Sequence, residues 1–211
     1  MSAPILCLVG MSGVGKSHWA KRLAAELGYV RHDCDGDIAA RLASLVDVEP
    51  GEEPVHALGR WMGMPWSAGY AEREARYLAL ESEVTQRALA ASERGDAPHV
   101  IDTTGSVVYL DGALTRRLAE HARVVYLRTP ESRQDAMLRR YLEEPKPVVW
   151  GGAYRPREDE RPEDALRRCY PELLRERDRR YAALAHVVLD GAALESGLAK
   201  SAADFIRLAS S

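Results

Sequence analysis

Residues 10–17, Gly10-Met11-Ser12-Gly13-Val14-Gly15-Lys16-Ser17, fit the pattern G-x-x-x-x-G-K-[ST] of a phosphate-binding loop. The flanks are those the loop requires. Ile5, Leu6, Cys7, Leu8 and Val9 form an apolar run of strand length before it, and Trp19, Ala20, Leu23, Ala24 and Leu27 recur at helical spacing after it. Glycines at 10, 13 and 15 let successive N–H groups converge on one concavity, to which the helix adds its own N-terminal donors and dipole. Lys16 is then the mobile cation between the outer phosphates of a nucleoside triphosphate, with Ser12 and Val14 in the cradle and Ser17 offering its hydroxyl to Mg²⁺. A chance glycine-rich turn would lack the strand before it and the helix after it.

That opening predicts an α/β fold, and the rest of the chain supplies the alternation. Residues 29–32 read as a second strand running into Asp33, Asp35 and Asp37. Three acids at the carboxyl end of a strand suit a cation or a hydroxyl-bearing ligand, or form a solvated turn in which Asp37 caps a helix over 38–46. Residues 47–69 carry Pro50, Gly51, Pro54, Gly59, Gly63, Pro65 and Gly69 and read as irregular. Trp61, Met62, Met64 and Trp66 inside that stretch either pin it to the core or wall a pocket. A helix over 70–93 follows, then a third strand over 98–102 that delivers Asp102 to metal, bound water or substrate, or to a cap. A helix over 110–120, a fourth strand over 123–128 and a helix opened by Pro130 come next. Residues 143–162, with four prolines and the pair Gly151-Gly152, read as a lid carrying Lys146, Arg155, Arg157 and Arg161, or as a plain charged loop. Two helices over 163–169 and 171–184, a fifth strand over 186–190 and a helix over 195–208 complete a parallel sheet covered on both faces.

Composition narrows the partners. A net charge of -3 over 211 residues gives no basic excess for nucleic acid or an anionic membrane, so a small molecule is expected. Cys7, Cys34 and Cys169 are odd in number and far apart, which fits a reducing cytoplasm better than a disulfide framework or a zinc site. With Met1 so near the first strand, no leader peptide is expected.

The order of parts resembles shikimate kinase, within the nucleoside monophosphate kinase-like small-molecule kinases, over about residues 5–190. The resemblance rests on the loop through Lys16-Ser17, Leu27-Gly28 followed by Asp33-x-Asp35, Val124-Val125-Tyr126-Leu127, and Arg177-Asp178-Arg179-Arg180-Tyr181. It implies a P-loop NTPase fold, three layers α/β/α around a five-stranded parallel sheet of order 2-3-1-4-5, as one domain over 1–211. A substrate-binding insertion over about 36–94 and a lid over about 143–162 would complete it. It implies ATP and Mg²⁺ as cofactors, with Ser17 on the metal, Asp33 supporting it through water, and Asp35 holding the acceptor hydroxyl and taking its proton. Lys146 falls where the family has a lid arginine before proline, and Arg177 at a substrate-binding arginine.

Departures are equally specific. The arginine that grips the shikimate carboxylate falls on Leu78, between Tyr77 and Glu81, with Arg73 and Arg76 one turn away as replacements. Thr104-Gly105-Ser106 replaces a glycine triplet, leaving Gly105 as the substrate-side glycine, Asp102 stands just before it, and His18 replaces a threonine after the loop. The expectation is therefore ATP-dependent phosphoryl transfer to a hydroxyl of a small polar molecule other than shikimate. Nucleoside or nucleotide kinases, gluconate-type kinases and a regulatory ATP-binding module are the rivals, the first drawing on Trp61, Trp66 and Trp150 as stacking faces.

Overall fold

The computed structural model describes residues 4–43, 46, 49, 52, 54–144 and 146–211. Pro50 and Gly51 of the expected irregular stretch and Pro145 of the expected lid lie outside the described residues. Five parallel strands, β1 (Ile5–Val9), β2 (Val30–Asp33), β3 (His99–Asp102), β4 (Arg123–Arg128) and β5 (Val187–Asp190), lie in the order β2-β3-β1-β4-β5. The implied strand order is therefore the observed one. β1 is central and buried on both faces, which is why its sequence is a continuous apolar run rather than an alternating one.

Alternate residues of the strands feed two cores. Leu6, Leu8, Val100, Val125 and Leu127 face α1 (Lys16–Leu27) and α9 (Ala202–Ser210), where Trp19 stacks on Phe205 at 4.7 Å between ring centres. Cys7, Val9, Ile101, Val124 and Tyr126 face the larger cluster under α2 (Cys34–Leu42), α3 (Pro54–Met62), α4 (Tyr70–Arg94), α5 (Gly112–His121), α6 (Gln134–Glu143) and α7 (Pro162–Leu184). Each fully buried Leu among these contributes about 1.5–3 kcal/mol of apolar burial. Gly28 ends α1 at φ 71°, its N–H on the Ala24 carbonyl while Tyr29 N–H reaches Leu23, so the glycine serves as the C-cap. After β5, a short α8 (Gly191–Ala193) and a wider turn over Leu194–Leu198 precede α9, in place of a single helix over 195–208.

Three further expectations are corrected. The stretch over 47–69 contains α3, because Pro54 sits at the tolerant first position while Ala57, Leu58 and Met62 share one buried face that outweighs Gly59. α2 starts at Cys34 rather than after Asp37, since Asp33 caps it by accepting the Gly36 N–H at 3.1 Å. Residues 162–184 form one helix through Pro171, because Leu166, Cys169, Tyr170, Leu173 and Leu174 lie buried on both sides of the proline and hold the two halves in line. No helix among the described residues is long and apolar enough to cross a membrane.

Candidate active site

The carboxyl ends of β1, β2 and β3 open onto one cleft of about 510 Å³. The loop forms one wall. Gly10, Gly13 and Gly15 have φ of 145°, 80° and 102°, and a Cβ on Gly10 would sit 2.5 Å from the Leu127 carbonyl oxygen, so the first glycine is needed for close passage over β4. Lys16 is buried and donates to the carbonyls of Gly10 at 2.9 Å and Met11 at 3.1 Å. Burial lowers the pKa of its ammonium group, and the charges of Asp35 and Asp102 act the other way.

Among the residues singled out from sequence, Ser12, Gly13, Gly15, Lys16, Ser17, Asp33, Asp35, Gly105, Lys146 and Arg177 all line this cleft. Val14 lines an adjoining cavity of about 310 Å³ whose lining includes Ser12, Gly13 and Lys146, shared with the cleft, and Arg133 and Gly191. His18 lies exposed with its ring edge-on to Trp19, and it lines neither space. Asp102 does not line the cleft either; it is 3% exposed and its carboxylate is taken by Arg31. A cavity of about 750 Å³ lies between α6 and α7, next to Arg128 and Arg175, and shares Met11, Met137 and Leu174 with the cleft.

Asp35 is pushed up to about 6, first by burial and then by Asp102 and Asp33, with Lys16 and Lys146 opposing. Tyr77, one of two α4 residues that reach this region, donates to Asp35 Oδ1 across a long 3.4 Å. The other is Glu81, fully buried, which accepts from the hydroxyls of Thr104 and Ser106 and is raised to about 7, mainly by burial. Two hydroxyls at the replaced glycine triplet thus serve a carboxylate that has no arginine beside it on the preceding turn. Arg177 is buried, donates to the Val149 carbonyl at 2.6 Å and lies over the Tyr109 ring, while its Nε has no partner among the described residues.

Other expected groups lie elsewhere. Arg73 gives its guanidinium to the carbonyls of Met62 and Ala68, Arg76 is exposed, and Leu78 is half-buried against the core; none lines the cleft. Trp150 is buried among Tyr141, Tyr154 and Tyr170, and Trp61 and Trp66 pack on the core, so the tryptophans pin chain rather than offer stacking faces. Within residues 143–162, Tyr70 holds the Val148 carbonyl and Glu74 holds the Trp150 N–H, so that Lys146 alone of the four cations reaches the cleft. The three cysteines are buried and free, and no group of three or more His, Cys, Asp or Glu among the described residues could form a metal cage. Sequence reasoning missed Arg31, which lines the cleft; the signal available was its position two residues before Asp33, on the same face of β2.

Strand order, loop and cleft together define a P-loop kinase fold. No family model matches the chain. The chain is 36% identical to the shikimate kinase of Streptomyces coelicolor over 127 residues, 60% of this chain and 59% of that protein. It is 30% identical to the shikimate kinase of Paracidovorax citrulli over 184 residues, 86% of this chain and 79% of that protein. The chain belongs to the shikimate kinase family, a family of small-molecule kinases. Among solved structures, it superposes on shikimate kinase from Acinetobacter baumannii in complex with shikimate at a TM-score of 0.60, with 23% identity over 98% of this chain and 92% of that one. The enzyme from Bacteroides thetaiotaomicron gives 0.53 and 18%, over 89% and 86%. At these identities the structures speak for the fold.

Proposed function

We propose that the protein transfers the γ-phosphoryl group of ATP to a hydroxyl of a small polar acceptor, and that this acceptor is not shikimate. The observation that carries the reading is the meeting of Lys16, Asp35 and Arg177 on one cleft at the mouth of the phosphate loop. Lys16 would exchange the Gly10 and Met11 carbonyls for phosphate oxygens. Asp35, with a pKa of about 6, is ionised above neutrality and basic enough to take the acceptor proton as its oxygen bonds to phosphorus and ADP leaves. Arg177, with an unfilled Nε donor, would hold a polar or anionic group of the acceptor.

The residues present suit Mg²⁺. Ser17 offers an exposed hydroxyl and Asp33 a carboxylate whose side chain is 43% exposed, a sparse set that fits an ion keeping several waters and taking its other ligands from phosphate. When bound, Mg²⁺ would neutralise phosphate charge, with Ser17 as direct ligand and Asp33 reached through water.

Against shikimate stands the missing grip. Its carboxylate needs a bidentate cation on α4, where Leu78 packs on the core and Arg73 is already bonded to backbone. The nucleoside-kinase reading loses support because Trp150 is buried in the core and the half-buried Trp61 and Trp66 pack against it outside the cleft. ATP consumption measured with and without a pool of hydroxylated metabolites, followed by identification of the phosphorylated product, tests the proposal. Turnover that ignores every acceptor would overturn it in favour of a regulatory ATP-binding module.

A further inference from the structure

Parallel pairing of β2 with β3 sets Asp33 opposite Asp102 and Arg31 opposite Val100. Two carboxylates facing each other across adjacent strands repel, and one of them, Asp102, is almost completely buried. Arg31 resolves the conflict. It precedes Asp33 by two residues, so its side chain leaves the same face of β2. Its Nε and Nη2 donate to Asp102 Oδ2 at 3.2 and 2.6 Å, and Nη2 also lies 2.9 Å from Asp33 Oδ2. A planar guanidinium can serve two carboxylates at once, which the point charge of a lysine does less well. With Asp33 Oδ1 taken by the Gly36 N–H, both oxygens of Asp33 are fixed from the protein side.

We propose that Arg31 sets the charge balance at the metal-supporting carboxylate Asp33, and that Asp102 is its buried counter-charge rather than a second carboxylate for metal or substrate. This rests on reading the cleft as a site for ATP and Mg²⁺. Asp102 and Arg31 together are a neutral unit beside Asp33. Asp102 keeps Arg31 from neutralising Asp33, and Arg31 offsets part of the charge that Asp102 would otherwise add beside Asp33, Asp35 and Lys16.

The unit can be unbalanced in either direction, which separates this role from a merely structural one. Asp102→Asn leaves a net positive unit next to Asp33 and raises the Mg²⁺ concentration that half-saturates binding of a fluorescent ATP analogue. Arg31→Gln leaves a net negative unit and lowers it. Each shift is expected to be roughly three- to tenfold, the effect of one unit charge several ångströms away at a protein–water boundary. The double variant, neutral again, returns to within about twofold of the unmodified protein, and it stays informative if Arg31→Gln alone does not fold. Shifts in the same direction, no shift in Asp102→Asn, or a double variant that resembles either single one would overturn the inference. If the unmodified protein binds the analogue without regard to Mg²⁺, the reading of the site fails, and this inference with it.

Discussion

Lys16 and Gly10 are bonded to each other: the ammonium donates to the carbonyl at 2.9 Å, so the lysine is folded back onto the loop that carries it. Phosphate oxygens would replace that partner, and the curvature of the loop comes from its glycines rather than from the lysine. Lys16→Ala should therefore lose phosphoryl transfer while losing no more than about 1 kcal/mol of stability, some 2–4 °C in Tm for a chain of this size. Assayed activity and thermal unfolding check this. Loss of cooperative unfolding would mean that the lysine shapes the loop.

The raised pKa of Asp35 has a kinetic signature. A base must be unprotonated, so kcat/KM should fall about tenfold per pH unit below about 6 and be level above it. Asp35→Asn should abolish that limb and lower kcat by about 10²-fold or more, with ATP affinity nearly unchanged. An unaltered pH profile in the variant would place the base elsewhere.

Glu81 makes a prediction about stability. Its folded-state pKa of about 7 lies above the ordinary 4.5, so the folded protein holds this proton more tightly than the unfolded chain does. The stability that this contributes is fully present below pH 4.5 and is lost as pH rises toward 7, about 3 kcal/mol in all. Glu81→Gln escapes that loss, so its Tm relative to the unmodified protein should climb between pH 4.5 and 7. A constant difference across this range would show that the carboxylate is ionised throughout.

Shikimate should be a poor acceptor, with kcat/KM at least about 10²-fold below that of the true one, because its carboxylate would lose water without gaining a cation from α4. Steady-state kinetics on both acceptors decide it. Efficient turnover of shikimate would mean that Arg177 supplies the grip alone.

The loop, the parallel sheet and the place of Asp35 were legible because each follows from local pattern: a glycine spacing, apolar strands between helices, an acid at the end of a strand; the strand order came only from the family resemblance. What stayed hidden depends on register. Nothing in the sequence states that β2 and β3 pair Asp33 with Asp102, so Arg31 draws no role from the sequence and Asp102 stays open between a ligand-binding acid and a cap. Likewise, Glu81 reads as one more acid on a charged helix until the turn at 104–106 packs its two hydroxyls against it. The helices α3 and α7 were obscured by prolines whose local cost is overridden by burial of the residues around them.

Pro171 gives α7 a joint. Proline has no N–H for the carbonyl of Arg167, one turn earlier, so the helix is held in line there by packing rather than by its own ladder. The half before the joint is tied to the segment that carries Lys146, through Arg168 to the Arg155 carbonyl and to Glu160. The half after it carries Arg177, which is bonded to Val149 in that same segment. Bending at residue 171 would therefore shift Lys146 and Arg177, two cations of the same cleft, relative to each other with neither helix half unwinding.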